Sequence, residues 1–440
     1  MIRSILERAI CLLVRVFFRR LEVSGREQVP RTGPVLFVLN HPNALVDPVV
    51  LLCRAGRPVS FLAKEPLFRT PIISIFVRAL DSIPVYRRMD QADTSRNRTT
   101  FDAARSLLAA GGSLAVFPEG TSHSDPRLKP FRTGAARIAL ATATTAGLPV
   151  VPAGLFYTAK TRFRSSALLC FGPAIVVRPV PPAPDGDPPA RAVRDLTRQM
   201  ESALGDLTVQ ADQHEALRLV ESAERIFRSA APDRDRDLMD RLQLRRRLLA
   251  GYTRLREEAP DRVAAIQGRI VRYQAALEEA ELNPELLPTS GYRSWTVLRI
   301  TIRALAALLV LLPAAIAGVA LHLPGWLAVE LASRRYQRSS PDMVATVKAL
   351  GGLLFYGVTW IGLACVAGSR WGWPGVAAGL VGGPASGFAA LQFLERADRL
   401  RGGARGVLLA LTGQRRFLRL IAERRAIREE LIALSSEFTL

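Results

Sequence analysis

His41 stands in the run Asn40-His41-Pro42-Asn43-Ala44-Leu45-Val46-Asp47-Pro48, between the apolar runs 35–39 and 49–52. Histidine is the side chain best suited to accept a proton near neutral pH, and a nearby carboxylate can fix its tautomer and aim. The chain has four histidines in 440 residues, so one placed where a strand should end is not background. Taken alone, the run also fits a loop histidine beside a helix-capping aspartate, and that plainer reading leads until the rest of the region is read. Three further runs change the balance. Ile83-Pro84-Val85-Tyr86-Arg87-Arg88 is a strand pattern ending in paired arginines, the side chains that grip phosphate bidentately. Phe117-Pro118-Glu119-Gly120-Thr121-Ser122-His123 ends a strand in a turn with a carboxylate and small polar residues. Val150-Val151-Pro152-Ala153-Gly154 is a strand with an internal proline. Singly, each is ordinary: arginine pairs are commonly solvated, Pro-Glu-Gly is a common turn, and proline marks an edge strand. Together they put special residues at strand ends, where α/β folds build their sites.

These residues need a scaffold that alternates strands and helices. Strand patterns fall at 35–39, 59–63, 82–86, 113–117, 150–156 and 167–177, and helical patterns at 48–55, 71–80, 99–110 and 134–146. That alternation predicts an α/β domain over 30–180 with a mixed sheet flanked by helices. A proline-rich linker follows at 181–189, which can sustain neither a helix nor a central strand. Residues 190–286 read as a charged, solvated helical segment with a modest apolar face at Leu217, Val220, Ala223 and Phe227.

The composition changes after Ser294-Trp295. Runs 304–329, 349–368 and 371–393 are uncharged, and each reaches the roughly 20 residues needed to cross a hydrocarbon core. They predict a transmembrane region over 296–395 with two to four crossings. Arg293, Arg299 and Arg303 precede it, and Arg396, Arg399, Arg401 and Arg405 follow it. Both flanks are then expected in the cytoplasm, which requires an even number of crossings. One run is therefore expected to be re-entrant or interfacial, or the first to fold back at Pro313 and Pro324. His322 reads as an interfacial histidine, and Trp360, Trp371 and Trp373 as interface anchors. Residues 396–440 predict basic amphipathic surface helices. At the other end, residues 1–29 mix Ile, Leu and Phe at helical spacing with Arg3, Arg8, Arg15, Arg19 and Arg20. This pattern suits an interfacial helix or one packed on the soluble domain, and does not suit a cleavable signal.

The formal net charge of +21 calls for an anionic partner. Nucleic acid is disfavoured, because no zinc motif, RNP-like strand or base-reading basic helix accompanies the charge. The apolar runs make anionic membrane lipids the better partner. Cys11, Cys53, Cys170 and Cys365 are scattered without a CxxC or a histidine at ligand spacing, so a disulfide framework or a metal site is not expected.

At these four blocks the sequence resembles the glycerolipid acyltransferases, the PlsC-like family that acylates glycerol-3-phosphate, dihydroxyacetone phosphate or lysophosphatidate. The resemblance covers roughly residues 30–180. It implies His41 as general base with Asp47 as its orienting carboxylate. The acceptor's phosphate would be held by Arg87 or Arg88, with Lys64 and Arg132 as further candidates. Phe117-Pro118-Glu119-Gly120 and Thr121 would form the third block, and Pro152 the fourth. The commoner form of the first block has one residue fewer between His and Asp. The longer spacing, with Ser-His after Phe-Pro-Glu-Gly, is similar to the branch that acylates glycerol-3-phosphate and dihydroxyacetone phosphate. A separation of six at about 100° per residue leaves His41 and Asp47 on different faces of a continuous helix, so the turn around Pro42-Asn43 must be non-helical. Asn43 is the alternative orienter.

The implied chemistry is acyl transfer from a thioester to a hydroxyl. A general base contributes roughly 10²–10⁴-fold. Backbone N–H groups at the helix start after His41 or in the Gly120 turn would stabilise the oxyanion, typically by about 3 kcal/mol. Glu119 would order its block or bond the acceptor's hydroxyl. The resemblance further implies acyl-CoA or acyl carrier protein as donor and no cofactor or metal, while the apolar runs and basic flanks predict an integral membrane protein with its catalytic domain on the cytoplasmic face. Lysophosphatidate acylation is the alternative enzyme reading, and a non-catalytic lipid-binding scaffold the alternative of another class.

Overall fold

The computed structural model describes residues 2–71, 73–87, 90, 93–184, 186–229, 237–280, 282, 294–337, 339–412 and 414–437. Two compact units emerge. The first comprises Met1–Gln210 and Tyr336–Thr346, and the second Ala211–Arg335 and Val347–Leu440.

The first unit is built on an eight-stranded mixed sheet. Its strands are β1 (Arg20–Ser24), β2 (Val35–Leu39), β3 (Ser60–Lys64), β4 (Ile83–Val85), β5 (Ser113–Val116), β6 (Leu148–Tyr157), β7 (Ser166–Phe171) and β8 (Ile175–Val177). The order is β1-β7-β6-β2-β5-β3-β4, with β8 also on β6. Strands β6, β2, β5, β3 and β4 run parallel, so their carboxyl ends share one edge. The helices are α1 (Ile2–Phe17), α2 (Val46–Arg54), α3 (Ile73–Ala79), α4 (Asn97–Ala109), α5 (Gly134–Thr142) and α6 (Ala190–Gly205). β2 is fully buried along its length, as an all-apolar strand covered on both faces must be. Leu36 and Val38 pack with Ala104 and Leu108 of α4, Ile138 of α5 and Met200 of α6, while the Phe37 ring meets Phe171 at 5.9 Å.

Three features depart from the sequence reading. The run 167–177 splits into β7 and β8, and α6, beyond the proline-rich stretch, closes over the sheet through Val193, Leu196, Met200 and Leu204. The compact unit therefore extends past that stretch to Gln210. A disulfide joins Cys11 to Cys53, where a disulfide was not expected, because α1 lies along α2 and brings two distant cysteines together. α1 buries Ile10, Val14 and Phe17 on the domain and leaves Ile5, Leu12, Leu13 and Val16 exposed.

The second unit contains α7 (His214–Ser229), α8 (Leu238–Glu258), α9 (Pro260–Glu279), α10 (Ser294–Gln337), α11 (Val344–Thr412) and α12 (Gln414–Glu437). α7, α8, α9 and α12 share a core that includes Ile226, Leu255, Ile270, Tyr273, Leu420 and Ile427. The charged segment and the C-terminal helix are thus packed together, where solvated or surface helices were expected. Inside this bundle the buried Glu224 carboxylate receives Arg228, Arg241 and Arg245.

α10 and α11 contain helices long and apolar enough to cross a membrane, at Ile302–Gln337 and Pro341–Asp398. α10 stays helical through Pro313 and Pro324, so the first apolar run does not fold back at its prolines. The reversal occurs in α11 at Gly372 (φ 62°, ψ −148°), a left-handed φ that suits glycine. A Cβ added at Gly379 would lie 2.5 Å from Ala364 Cα, and one at Gly383 2.6 Å from Trp360 Cδ1, so small residues let the two legs touch. His322 and Trp360, both read as interface residues, are bonded to each other. The Trp360 indole N–H donates to His322 Nε2 at 2.8 Å, and His322 Nδ1 donates to the Gly318 carbonyl at 2.8 Å.

Candidate active site

The chain leaves β2 at Leu39 and reaches α2 at Val46 through a non-helical turn. Asn40 anchors the start of that turn by a two-way bond with β6: its Oδ1 accepts from the Leu155 N–H at 2.7 Å and its amide donates to the Leu155 carbonyl at 3.1 Å. Ala44 has φ +40°, the left-handed region, and this reversal absorbs the additional residue of the block. His41 Nδ1 lies 2.8 Å from Asp47 Oδ2 as a result. Asp47 is fully buried, and two more donors reach it: the Asn43 N–H to Oδ2 at 2.7 Å, and the Tyr157 hydroxyl to Oδ1 at 2.6 Å. A carboxylate facing Nδ1 places the ring proton there and leaves Nε2 as the acceptor. Asn43, the alternative orienter, contributes its backbone, while its own amide donates to the Lys160 carbonyl.

Tyr157 at the end of β6 was not singled out from sequence. No local pattern marks it, since its partner is 110 residues away. Burial, reinforced by the Asp47 charge, pushes its phenol well above the usual tyrosine range, so it remains a donor.

The turn after β5 forms the second wall. Phe117 stacks on the His41 ring, with centroids 4.1 Å apart and planes 20° from parallel. Glu119 is buried and accepts from the His41 N–H at 3.0 Å, the Lys129 N–H at 2.8 Å and His123 Nε2. The His41 carbonyl in turn accepts from the His123 N–H at 3.1 Å. Both Glu119 oxygens are therefore engaged, and the residue orders the block without facing an open acceptor site. His123 receives the Asp125 N–H on Nδ1 at 3.1 Å, the tautomer that matches donation from Nε2 to Glu119.

The cationic residues divide. Arg87, just past β4, is held by Asp90 at 2.6 and 2.8 Å and donates to the Gly120 carbonyl at 2.6 Å. That bond to Arg87 pulls the Asp90 carboxyl below its usual range. Arg88 lies outside the described residues. Arg132 is exposed, and its side chain covers Gly120 so closely that a Cβ there would sit 2.4 Å from Nε. Gly120 itself has φ +74°. Lys64 is exposed at the end of β3, beside Val85 of β4. The Thr121 hydroxyl bonds the Ser122 carbonyl at 3.3 Å. Three of the N–H groups in the stretches suggested for the oxyanion are already engaged: Gly120 bonds Phe117, Val46 bonds Asn43 and Leu45 bonds Thr346.

Pro152 lies inside β6, a central strand, and its tolerance has a topological cause. On its antiparallel side β6 changes partner from β8 to β7, and Pro152 sits at the changeover, where its carbonyl accepts from the Gly172 N–H at 2.9 Å. Its missing N–H faces that break and costs no ladder bond.

Comparison with known proteins finds two family matches. Residues 20–155 match the family described as acyltransferase, and residues 219–439 match the glycerol-3-phosphate acyltransferase 2 C-terminal domain. An uncharacterised acyltransferase of Schizosaccharomyces pombe is 25% identical over 438 residues, which cover 77% of this chain and 64% of that protein. Glycerol-3-phosphate O-acyltransferase 2 of Saccharomyces cerevisiae is 29% identical over 272 residues, 59% of this chain and 35% of the relative. A chloroplastic 1-acyl-sn-glycerol-3-phosphate acyltransferase of Brassica napus is 33% identical over 147 residues, 32% of this chain and 39% of the relative. The chain spans less than two thirds of the length of each.

Proposed function

Because the chain belongs to the acyltransferase family that carries the glycerol-3-phosphate acyltransferase 2 C-terminal domain, we propose that it transfers a fatty acyl group from a thioester to a hydroxyl of glycerol-3-phosphate or dihydroxyacetone phosphate. The observation that carries the reading is the His41–Asp47 pair at 2.8 Å on the carboxyl edge of the parallel strands. His41 Nε2 takes the proton of the acceptor's hydroxyl as its oxygen attacks the thioester carbonyl. The tetrahedral oxyanion collapses, the carbon–sulfur bond breaks, and the proton passes to the leaving thiolate. Asp47 stabilises the imidazolium formed in between. Arg132 and Lys64, exposed near the Gly120 turn and β4, are the cations best free to meet the acceptor's phosphate. A thioester is already activated, so the donor is acyl-CoA or acyl carrier protein and no resident cofactor is required.

The apolar helices and basic flanks support a membrane-bound protein with this unit on the cytoplasmic face, near anionic lipids. Lysophosphatidate acylation is the second reading, favoured by the Brassica napus relative. Membranes carrying the protein, supplied with acyl-CoA and labelled glycerol-3-phosphate, dihydroxyacetone phosphate or lysophosphatidate, separate the two. Fastest labelling with either of the first two is expected, and turnover of lysophosphatidate alone overturns it.

A further inference from the structure

The connection from α10 to α11, residues Tyr336–Thr346, is part of the same compact unit as the sheet. Its Val344 and Ala345 are fully buried and Thr346 nearly so. The side chains of Asp342 and Thr346 bond to the rest of that unit. The Ser122 hydroxyl donates to Asp342 Oδ2 at 2.5 Å, across 220 residues of sequence. The Leu45 N–H donates to Thr346 Oγ1 at 3.3 Å, across 301 residues. Neither bond is a by-product of local chain geometry.

Each lands on one of the two turns that hold His41. Ser122 lies in the turn whose Glu119 and His123 bond the His41 N–H and carbonyl. Leu45 follows Ala44, whose left-handed backbone needs support, and precedes Asp47 by two residues. We propose that Asp342 and Thr346 are positioning residues for acyl transfer, a clasp that fixes the His41 turn and the Glu119 turn relative to each other. This inference rests on the acyl-transfer reading given above. Charge-assisted bonds such as Ser122–Asp342 are the stronger kind, and small misplacement of a base lowers turnover steeply. The clasp is expected to act on turnover more than on acceptor binding, since its two bonds land on the turns that hold His41.

The test uses the full chain in phospholipid vesicles, with Asp342→Ala, Asp342→Asn, Ser122→Ala, the Ser122→Ala/Asp342→Ala double variant and Thr346→Val. Asp342→Ala and Ser122→Ala are each expected to lower kcat about 5–50-fold with KM within about twofold. Asp342→Asn keeps an acceptor oxygen and should retain most of the rate. The double variant should be no slower than the worse single one, because one bond is lost only once. Amide exchange should quicken across 117–124 in Asp342→Ala and across 40–46 in Thr346→Val. Wild-type turnover in Asp342→Ala, multiplying effects in the double variant, or unchanged exchange would each overturn the clasp. If the unmodified protein acylates none of the three acceptors, the proposed activity fails, and the exchange measurement alone decides the clasp.

Discussion

The Tyr157 hydroxyl donates to Asp47 Oδ1 at 2.6 Å, on the opposite oxygen from the one that faces His41 Nδ1. The carboxylate is thereby held from both sides, with the histidine free to rotate only at the cost of that alignment. Tyr157→Phe removes one donor and leaves the Asn43 N–H. A bond to a charged group is worth about 1.5–3 kcal/mol, so kcat should fall by roughly one to two orders of magnitude with little change in KM. Steady-state kinetics on membranes checks this.

The same substitution has a signature at alkaline pH. The folded protein keeps the Tyr157 proton because burial raises the phenol, whereas the unfolded chain releases it near pH 10 or so. Above that pH the unfolded state binds fewer protons, so the stabilisation from this group is lost as pH rises. The unmodified protein's advantage over Tyr157→Phe in thermal midpoint should shrink above about pH 10 and stay constant below it.

Arg87 and Arg132 should separate kinetically. Arg87 is committed to Asp90 and the Gly120 carbonyl, whereas Arg132 is exposed over the same glycine. Arg132→Ala should raise KM for the phosphate acceptor by about 10–100-fold, the value of a charge-assisted bond, and leave the acyl-donor KM unchanged. Arg87→Ala frees the Gly120 turn and should depress kcat instead. Equal KM effects from both would show that the pinned arginine also reaches the acceptor.

Ala44 carries the turn's strain at φ +40°. A left-handed L-residue costs about 1–2 kcal/mol, a penalty glycine escapes and a β-branched residue worsens. Ala44→Gly should therefore preserve activity and leave thermal stability within about 1 kcal/mol, while Ala44→Val lowers both.

Much of the site could be read from the sequence because its residues sit beside their strands. Residues 35–39 are the apolar run of a strand buried on both faces, and the structure starts and ends β2 on those residues. Other parts carried no such signal. β1, with the sequence Arg-Leu-Glu-Val-Ser, is a mixed strand at the sheet edge, paired with β7. α6 reads as part of the charged segment until its apolar stripe meets the sheet. The spacing between His41 and Asp47 announced a non-helical turn, yet only the Ala44 backbone shows how the turn closes. Tyr157, Asp342 and the Cys11–Cys53 link depend on tertiary contacts between distant segments, which local periodicity does not encode.

In the helical unit, Glu224 is buried beneath three arginines, and burial lowers the Arg241 guanidinium despite that carboxylate. Glu224→Ala removes the buried carboxylate that these arginines share, leaving Arg245 its bond to Glu221, and should destabilise the bundle by about 3–5 kcal/mol. Thermal unfolding in detergent, followed by helix content, reads the loss.

The most direct test of the account is the rate of glycerol-3-phosphate acylation by His41→Ala in membranes, beside the unmodified protein at equal folded amount. Loss of about 10²–10⁴-fold, with the protein still folded and acceptor binding retained, is the predicted result. An undiminished rate would remove His41 as the base and contradict the account.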